Sequence, residues 1–127
     1  MEYGRIAPMM GHLWSPMAAV TSHWHGKRNA QIAVAIGAAS IVPGMPRVNV
    51  QIYKRNLSHS LIYHSGAFAL NFLAKDQQRL IQDFGLVSGR DADKLAGMEC
   101  VLGPSGSPLL ANCWGYLDCR VVNAMDG

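Results

Sequence analysis

Residues 47–53, RVNVQIY, alternate apolar and polar side chains, so that Val48, Val50 and Ile52 share one face. A period of two predicts a strand with one buried side. Met17–Trp24 and Ala30–Ile36 are two further strand-like runs. The polar stretch His25–Asn29 between them predicts a hairpin, with Gly26 free to take positive φ. Leu57–Ser65 predicts a short helix closed by Gly66, and Ala67–Leu73 another strand. Across Lys75–Phe84 the apolar positions Leu80, Ile81 and Phe84 fall on one helical face, and Gly85 ends the run. Met98–Leu102 and Leu117–Val122 complete the strand candidates. Residues 1–16, interrupted by Pro8, Gly11 and Pro16, read as an irregular lead-in, and 86–97 and 103–108 as loops. Six short strands with two or three helices predict an antiparallel, mainly β (α+β) domain or a small barrel. A doubly wound parallel sheet would need helices between the first three strands, and none is predicted there.

Composition narrows this picture only modestly. The 127 residues suit one domain, and half of them are apolar, enough for a real core. The net charge of +3 comes from scattered basic residues rather than a long stripe, which argues against a nucleic-acid binder and is compatible with a small anionic ligand. No apolar run approaches the about 20 residues of a membrane span, and the N-terminus has no signal-peptide pattern. Three cysteines, Cys100, Cys113 and Cys119, without a framework spacing read as free thiols in a reducing cytoplasm.

The candidate chemistry lies between Ile52 and Leu73. Lys54 and Arg55 precede a helix start that carries Ser58 and His59. A cationic pair beside free helix N–H groups and the positive end of the helix dipole suits a phosphate. On spacing alone the more economical reading is an N-cap serine beside a solvated basic pair. His23 and His25 share a strand face, but no further ligands complete a zinc site in sequence. Asp91 and Asp93 sit in a polar loop with Arg90 and Lys94 and read as a solvated turn rather than an acid–base pair.

Taken in order, several pieces resemble the flavin reductase-like family of FMN-binding split β-barrels. They are Pro16-Met17-Ala18-Ala19-Val20-Thr21, Gly26 to Ala30, Pro43, Lys54-x-x-x-Ser58-His59-x-x-Ile62, and Ser65-Gly66-x-Phe68-x-Leu70-Asn71. Gln77-x-x-Leu80, Phe84, Asp93-Lys94-Leu95-x-Gly97, Pro108-Leu109 and Tyr116 to Val122 complete the match. Their order reverses the economical reading of the basic cluster. The resemblance implies a six-stranded antiparallel Greek-key split barrel spanning residues 1–127, a homodimer, and FMN (or FAD) as cofactor. It implies that the second strand, Asn29, Ile32, Ala33, Val34 and Ala35, runs past the flavin ring. Gln51, Ile52, Tyr53 and Lys54 would line the ribityl chain, and Lys54 or Arg55 with Ser58 and His59 would hold the phosphate.

There are two departures from the family pattern. Val34 and Ala35 stand where hydroxyl residues are common in similar proteins. The Gly-Asp-His motif and further strand that follow the last strand in the family pattern are absent from the sequence up to Gly127, so the domain is expected to lack its C-terminal portion and last strand.

The implied activity is hydride transfer from NADH or NADPH to flavin. The alternative is a non-catalytic FMN-binding electron carrier or flavin-binding module working with a redox partner protein. A third reading, an interaction or metal-binding domain without flavin, rests on the histidine-bearing turn. Neither nucleic acid nor membrane is an expected partner, and the implied location is cytoplasmic.

Overall fold

The computed structural model describes residues 2–126; Met1 and Gly127 lie outside the described residues. Its centre is a four-stranded antiparallel sheet. The strands are β1 (Ala18–Trp24), β2 (Lys27–Ala33), β5 (Ala67–Phe72) and β8 (Gly115–Arg120), in the order β2-β1-β5-β8. Two ribbons accompany it: β3 (Ile36–Ala38) with β4 (Val48–Val50), and β6 (Cys100–Leu102) with β7 (Pro108–Leu110). The helices are α1 (Tyr3–Met10), α2 (Leu57–Ser65) and α3 (Arg79–Gly85). The chain is mainly β with short helices, as the sequence predicts, but eight short strands replace the expected six.

Both faces of the sheet are covered. Ala18, Val20, Ala33 and Leu70 look toward α2 and the β3–β4 ribbon, with Ile36, Val48, Val50, Ile52 and Ile62 packed on them. Ala19 and Ala30 look the other way, toward Phe84 of α3, Leu95 and Leu110 of β7. β1 is therefore buried along five consecutive residues, Ala18–Ser22, as a central strand with both faces packed should be. The second face is pinned by a buried amide. Asn71 Nδ2 donates to the Ala19 carbonyl and to Thr21 Oγ1, and Asn71 Oδ1 accepts the Leu110 amide at 2.9 Å. Asn71 thus ties β7 to the sheet and leaves neither of its own polar atoms orphaned.

Element boundaries differ from the sequence reading for identifiable reasons. The β1–β2 turn contracts to His25 and Gly26, both at positive φ (48° and 78°), with Trp24 paired to Lys27. A two-residue turn with both central φ positive matches the strand twist, so β2 begins at Lys27 rather than Ala30. Val34 and Ala35 then interrupt the run before β3. The alternation over 47–53 is real, since Val48, Val50 and Ile52 all pack on the core, but the ladder lasts only as long as its partner β3. The helix expected over Lys75–Phe84 divides into a single tight turn, Lys75–Gln77, and α3. The division point is anchored by Gln77, whose side chain accepts the Ala74 amide and donates to the Ala111 carbonyl. Residues 3–10, read as irregular, are helical despite Pro8, which removes only one intrahelical bond from so short a helix. α2 and its glycine cap stand where the sequence puts them, with Gly66 at φ 71°.

Among the described residues, no helix is long and apolar enough to cross a membrane.

Candidate functional site

β2 is an edge strand, so among the described residues its outer side has no neighbouring strand. The N-terminus of α2 and the segment following α3 approach that edge from opposite faces of the sheet. They enclose a cleft of about 270 Å³ bordered by Asn29, Gln31 and Ile32 of β2, by Asn56 and Leu57, and by Ser88, Gly89 and Lys94.

Asn29 carries the chemistry of this cleft. It is 2% exposed. Its Nδ2 donates to Ser58 Oγ at 3.0 Å, while its Oδ1 has no hydrogen-bond partner among the described residues. An unpaired buried amide oxygen typically costs about 1–3 kcal/mol, so a ligand group that pairs with it recovers that penalty. The Ser58 hydroxyl can donate as well as accept, so the Asn29 amide can turn over and present either its oxygen or its NH₂ to the cleft. Gly89 presses against this amide, and a Cβ at position 89 would overlap it.

The helix terminus adds donors. Asn56 occupies the N-cap position in extended conformation, but its side chain makes no cap bond and instead donates to Gln31 Oε1 at 3.4 Å. The His59 amide donates to the Asn56 carbonyl, which leaves the Leu57 and Ser58 amides of the first turn without a side-chain cap beside the cleft, a setting that favours an anion. Ser58 lies one residue past the first helical position and is fully buried, so it acts on the cleft through Asn29 rather than as the cap. Lys94 Nζ donates to the Phe84 carbonyl at 2.7 Å, and burial lowers its ammonium pKa from the usual lysine range.

The other predicted positions are more dispersed. The structure brings together Asn29, Ile32 and Ser58. Ala33 is buried in the core, Val34 is exposed, and the Ala35 carbonyl accepts the Gln51 amide at 3.1 Å. Ile52 packs on the core, while Tyr53 is exposed beneath the Arg55 guanidinium, 5.4 Å from its ring centre. Lys54 does not line the cleft; its ammonium meets Asp126 at 2.6 Å and holds that carboxyl below the usual carboxylate range. His59 lies nearly parallel to Tyr63, ring centres 6.3 Å apart.

Gln31, Asn56, Ser88 and Gly89 escaped the sequence reading, and Lys94 was read as part of a solvated turn and of the family pattern rather than as a site residue. Asn56 directly before a helix was a legible signal. Ser88, Gly89 and Lys94 lie in a polar stretch that has no periodicity to mark it. His23 and His25 do not converge on a common point: His23 faces Gly106 and His25 stacks on Trp24. Among the described residues no three His, Cys, Asp or Glu side chains are grouped to hold a metal ion.

The donor set fits part of a flavin nucleotide. An amide that serves as donor or acceptor, uncapped helix amides and an ammonium suit a phosphate with its adjoining hydroxyl-bearing chain. The volume lies just below the roughly 300–1,000 Å³ of a whole drug-sized ligand site, so a tricyclic ring would extend beyond the cleft.

Comparison with known proteins points the same way. The reductase subunit HsaB of a flavin-dependent monooxygenase from Rhodococcus jostii is 30% identical over 123 residues, covering 97% of this chain and 60% of that protein. A high molecular weight rubredoxin from Moorella thermoacetica is 32% identical over 109 residues, covering 84% of this chain and 47% of that protein. The crystal structure of a nitrilotriacetate monooxygenase component B homolog from Mycobacterium thermoresistibile superposes with a TM-score of 0.81 at 27% identity, covering 98% of this chain and 66% of that one. The chain thus spans less than two thirds of the length of these relatives. Residues 10–127 match the family described as the flavin reductase like domain, and with nearly the whole chain inside that match, a mainly β sheet and a cleft suited to a nucleotide phosphate, the protein belongs to that family.

Proposed function

We propose that the chain binds FMN with its phosphate end in the cleft at the β2 edge and serves as an NAD(P)H-dependent flavin reductase. The unpaired, buried amide oxygen of Asn29 beside the uncapped start of α2 carries this reading. Bound flavin supplies a two-electron hydride acceptor, which explains why the cleft needs no acid–base pair of its own. Asn29, oriented by Ser58, hydrogen-bonds the phosphate or its neighbouring hydroxyl. The α2 amides complement the negative charge, Lys94 sits at the opposite wall, and the segment around Gly89 shields the amide from water. The Asn29–Ala35 stretch offers backbone groups toward the ring, Gln51 to Tyr53 lie toward the ribityl side, and Lys54, Arg55 and His59 form an outer cationic rim. FAD is the alternative cofactor.

The antiparallel four-stranded sheet with its two accompanying ribbons supports a split-barrel reading of the fold. A homodimer is supported by the exposed apolar side chains Tyr116 and Leu117 on edge strand β8, with Trp114 beside them. Three unpaired, part-buried thiols, whose pKa values burial raises, are compatible with a cytoplasmic protein.

Titrating the purified protein with FMN, then adding NADH or NADPH and following the flavin absorbance band, tests this directly. Binding followed by bleaching with one nicotinamide is expected. Ser58→Ala removes the partner that orients Asn29 and should weaken FMN severalfold, the scale of a lost neutral hydrogen bond of about 0.5–1.5 kcal/mol. The similarity to a high molecular weight rubredoxin supports a second reading, a flavin-binding electron carrier. In that case the protein binds FMN and is reduced by dithionite but not by either nicotinamide.

A further inference from the structure

A chain of aromatic rings leads away from the cleft along the surface. Asn56, which borders the cleft, His59 and Tyr63 are spaced three and four residues apart and so lie along one side of α2. His59 and Tyr63 are nearly parallel, with an interplanar angle of 15°. Tyr63 meets His64 edge-on at 5.4 Å, and His64 lies 6.0 Å from Trp24 at 24°. Trp24 stacks on His25 at 4.2 Å across the tip of the β1–β2 hairpin. Tyr63 is 76% exposed and Trp24 37% exposed, so much of this ring surface faces solvent rather than the core.

The charge of the segments that carry the rings is one-sided in sequence. From Tyr3 through Lys75 the sequence holds no Asp or Glu, yet it holds all five histidines. The carboxylates, Glu2 apart, come later, on the segments carrying α3, the β6–β7 ribbon and β8. The α2–hairpin segments therefore contribute flat rings and the basic side chains Lys27, Arg28, Lys54 and Arg55, while the carboxylates near them, Asp93 beside Arg28 and Asp126 beside Lys54, come from distant parts of the chain. A ligand with a planar heteroaromatic base and attached phosphates complements both features. The rise from Leu57 to Tyr63 is about 9 Å along the helix axis, comparable to one nucleoside phosphate.

We infer that the ring strip centred on Tyr63 and Trp24 binds the adenosine-phosphate half of a dinucleotide whose other half reaches the cleft. This rests on the flavin reading above. Adenosine phosphate is common to FAD and to NADH or NADPH, and the strip recognises that shared chemistry by base stacking and cationic surroundings.

The test uses 5′-ADP as the probe, because its binding does not require flavin. Isothermal titration of the wild-type protein should give measurable ADP affinity. Tyr63→Ala should weaken it about tenfold, the scale of a lost base–aromatic stack, while Tyr63→Phe retains it. FMN affinity should be the same in all three proteins. If FAD is the source, wild type binds FAD more tightly than FMN and Tyr63→Ala removes the difference. If the nicotinamide donor is the source, FAD and FMN bind alike, and the KM for NADH or NADPH rises in Tyr63→Ala with little change in kcat. No ADP binding to the wild type, or ADP affinity indifferent to Tyr63→Ala and Trp24→Ala, overturns the inference even if FMN binds. A single-stranded oligonucleotide that binds in a Tyr63-dependent way where 5′-ADP does not also overturns it. ADP binding that depends on Tyr63 upholds the adenosine site even if FMN fails to bind, and that failure would count against the flavin reading instead.

Discussion

At the residue scale, the cleft depends on an amide whose two ends have different fates. Asn29 spends Nδ2 on Ser58 and leaves its buried Oδ1 without a partner among the described residues. Asn29→Leu keeps similar bulk but removes both ends, leaving Ser58 without its donor. Loss of the Ser58 bond and relief of the unpaired oxygen oppose each other, so stability in denaturant titration should change by no more than about 1 kcal/mol while FMN weakens at least tenfold in a fluorescence titration. Unchanged FMN affinity would rule Asn29 out as a contact. Lys54 poses a different question, because Asp126 already holds it. The Asp126 carboxyl is acidified by this contact, so the pair is intact at neutral pH and is lost as pH falls through that lowered value. Asp126→Asn imitates the loss at neutral pH. If Lys54 serves the phosphate, the freed ammonium should strengthen FMN binding a few-fold in Asp126→Asn and not in the double variant with Lys54→Ala. Both side chains are exposed, so the effect should fade in high salt.

At the element scale, the legible parts were those with their own local punctuation. α2 is bounded by Asn56 and Gly66, and Gly66 takes the left-handed conformation that the sequence predicts for it. The hairpin was legible from Gly26, although the pairing register, Trp24 with Lys27, shortened the turn. α1 was hidden by Pro8 and Gly11, which outweighed the helical spacing of Tyr3, Ile6 and Met10 in so short a run. β7 was hidden because Pro108–Leu110 owes its strand character to a ladder with β6 and to the amide of Asn71, both distant in sequence. The segment after α3 shows how an element without a pattern enters a site. Gly89 fits against Asn29 only because it has no Cβ, so Gly89→Ala must displace either the loop or the amide. It should lower FMN affinity severalfold while leaving the far-UV circular dichroism of the sheet unchanged. An undisturbed affinity would show that the loop is free to move away.

At the scale of the whole molecule, the sheet has two edges with different roles. The β2 edge forms the cleft, whereas the β8 edge carries Tyr116 and Leu117 into solvent. Unpaired edges with apolar side chains invite pairing with another chain. Leu117→Arg should therefore convert a dimer into a monomer in sedimentation velocity, and a wild type that sediments as a monomer would remove the dimer proposal. The sequence by itself determined the local elements: the period-two strands, the helix with its glycine cap, the hairpin, and the match to the family. These depend on side-chain periodicity and backbone preferences within a few residues. Only the tertiary structure decided that Asn29 meets Ser58, that Gly89 closes over it, that Lys54 is drawn to Asp126 instead of the cleft, and that rings from a hairpin and a helix join into one strip. Each of those outcomes depends on strand order and sheet edges, and no local pattern encodes contacts between residues dozens of positions apart.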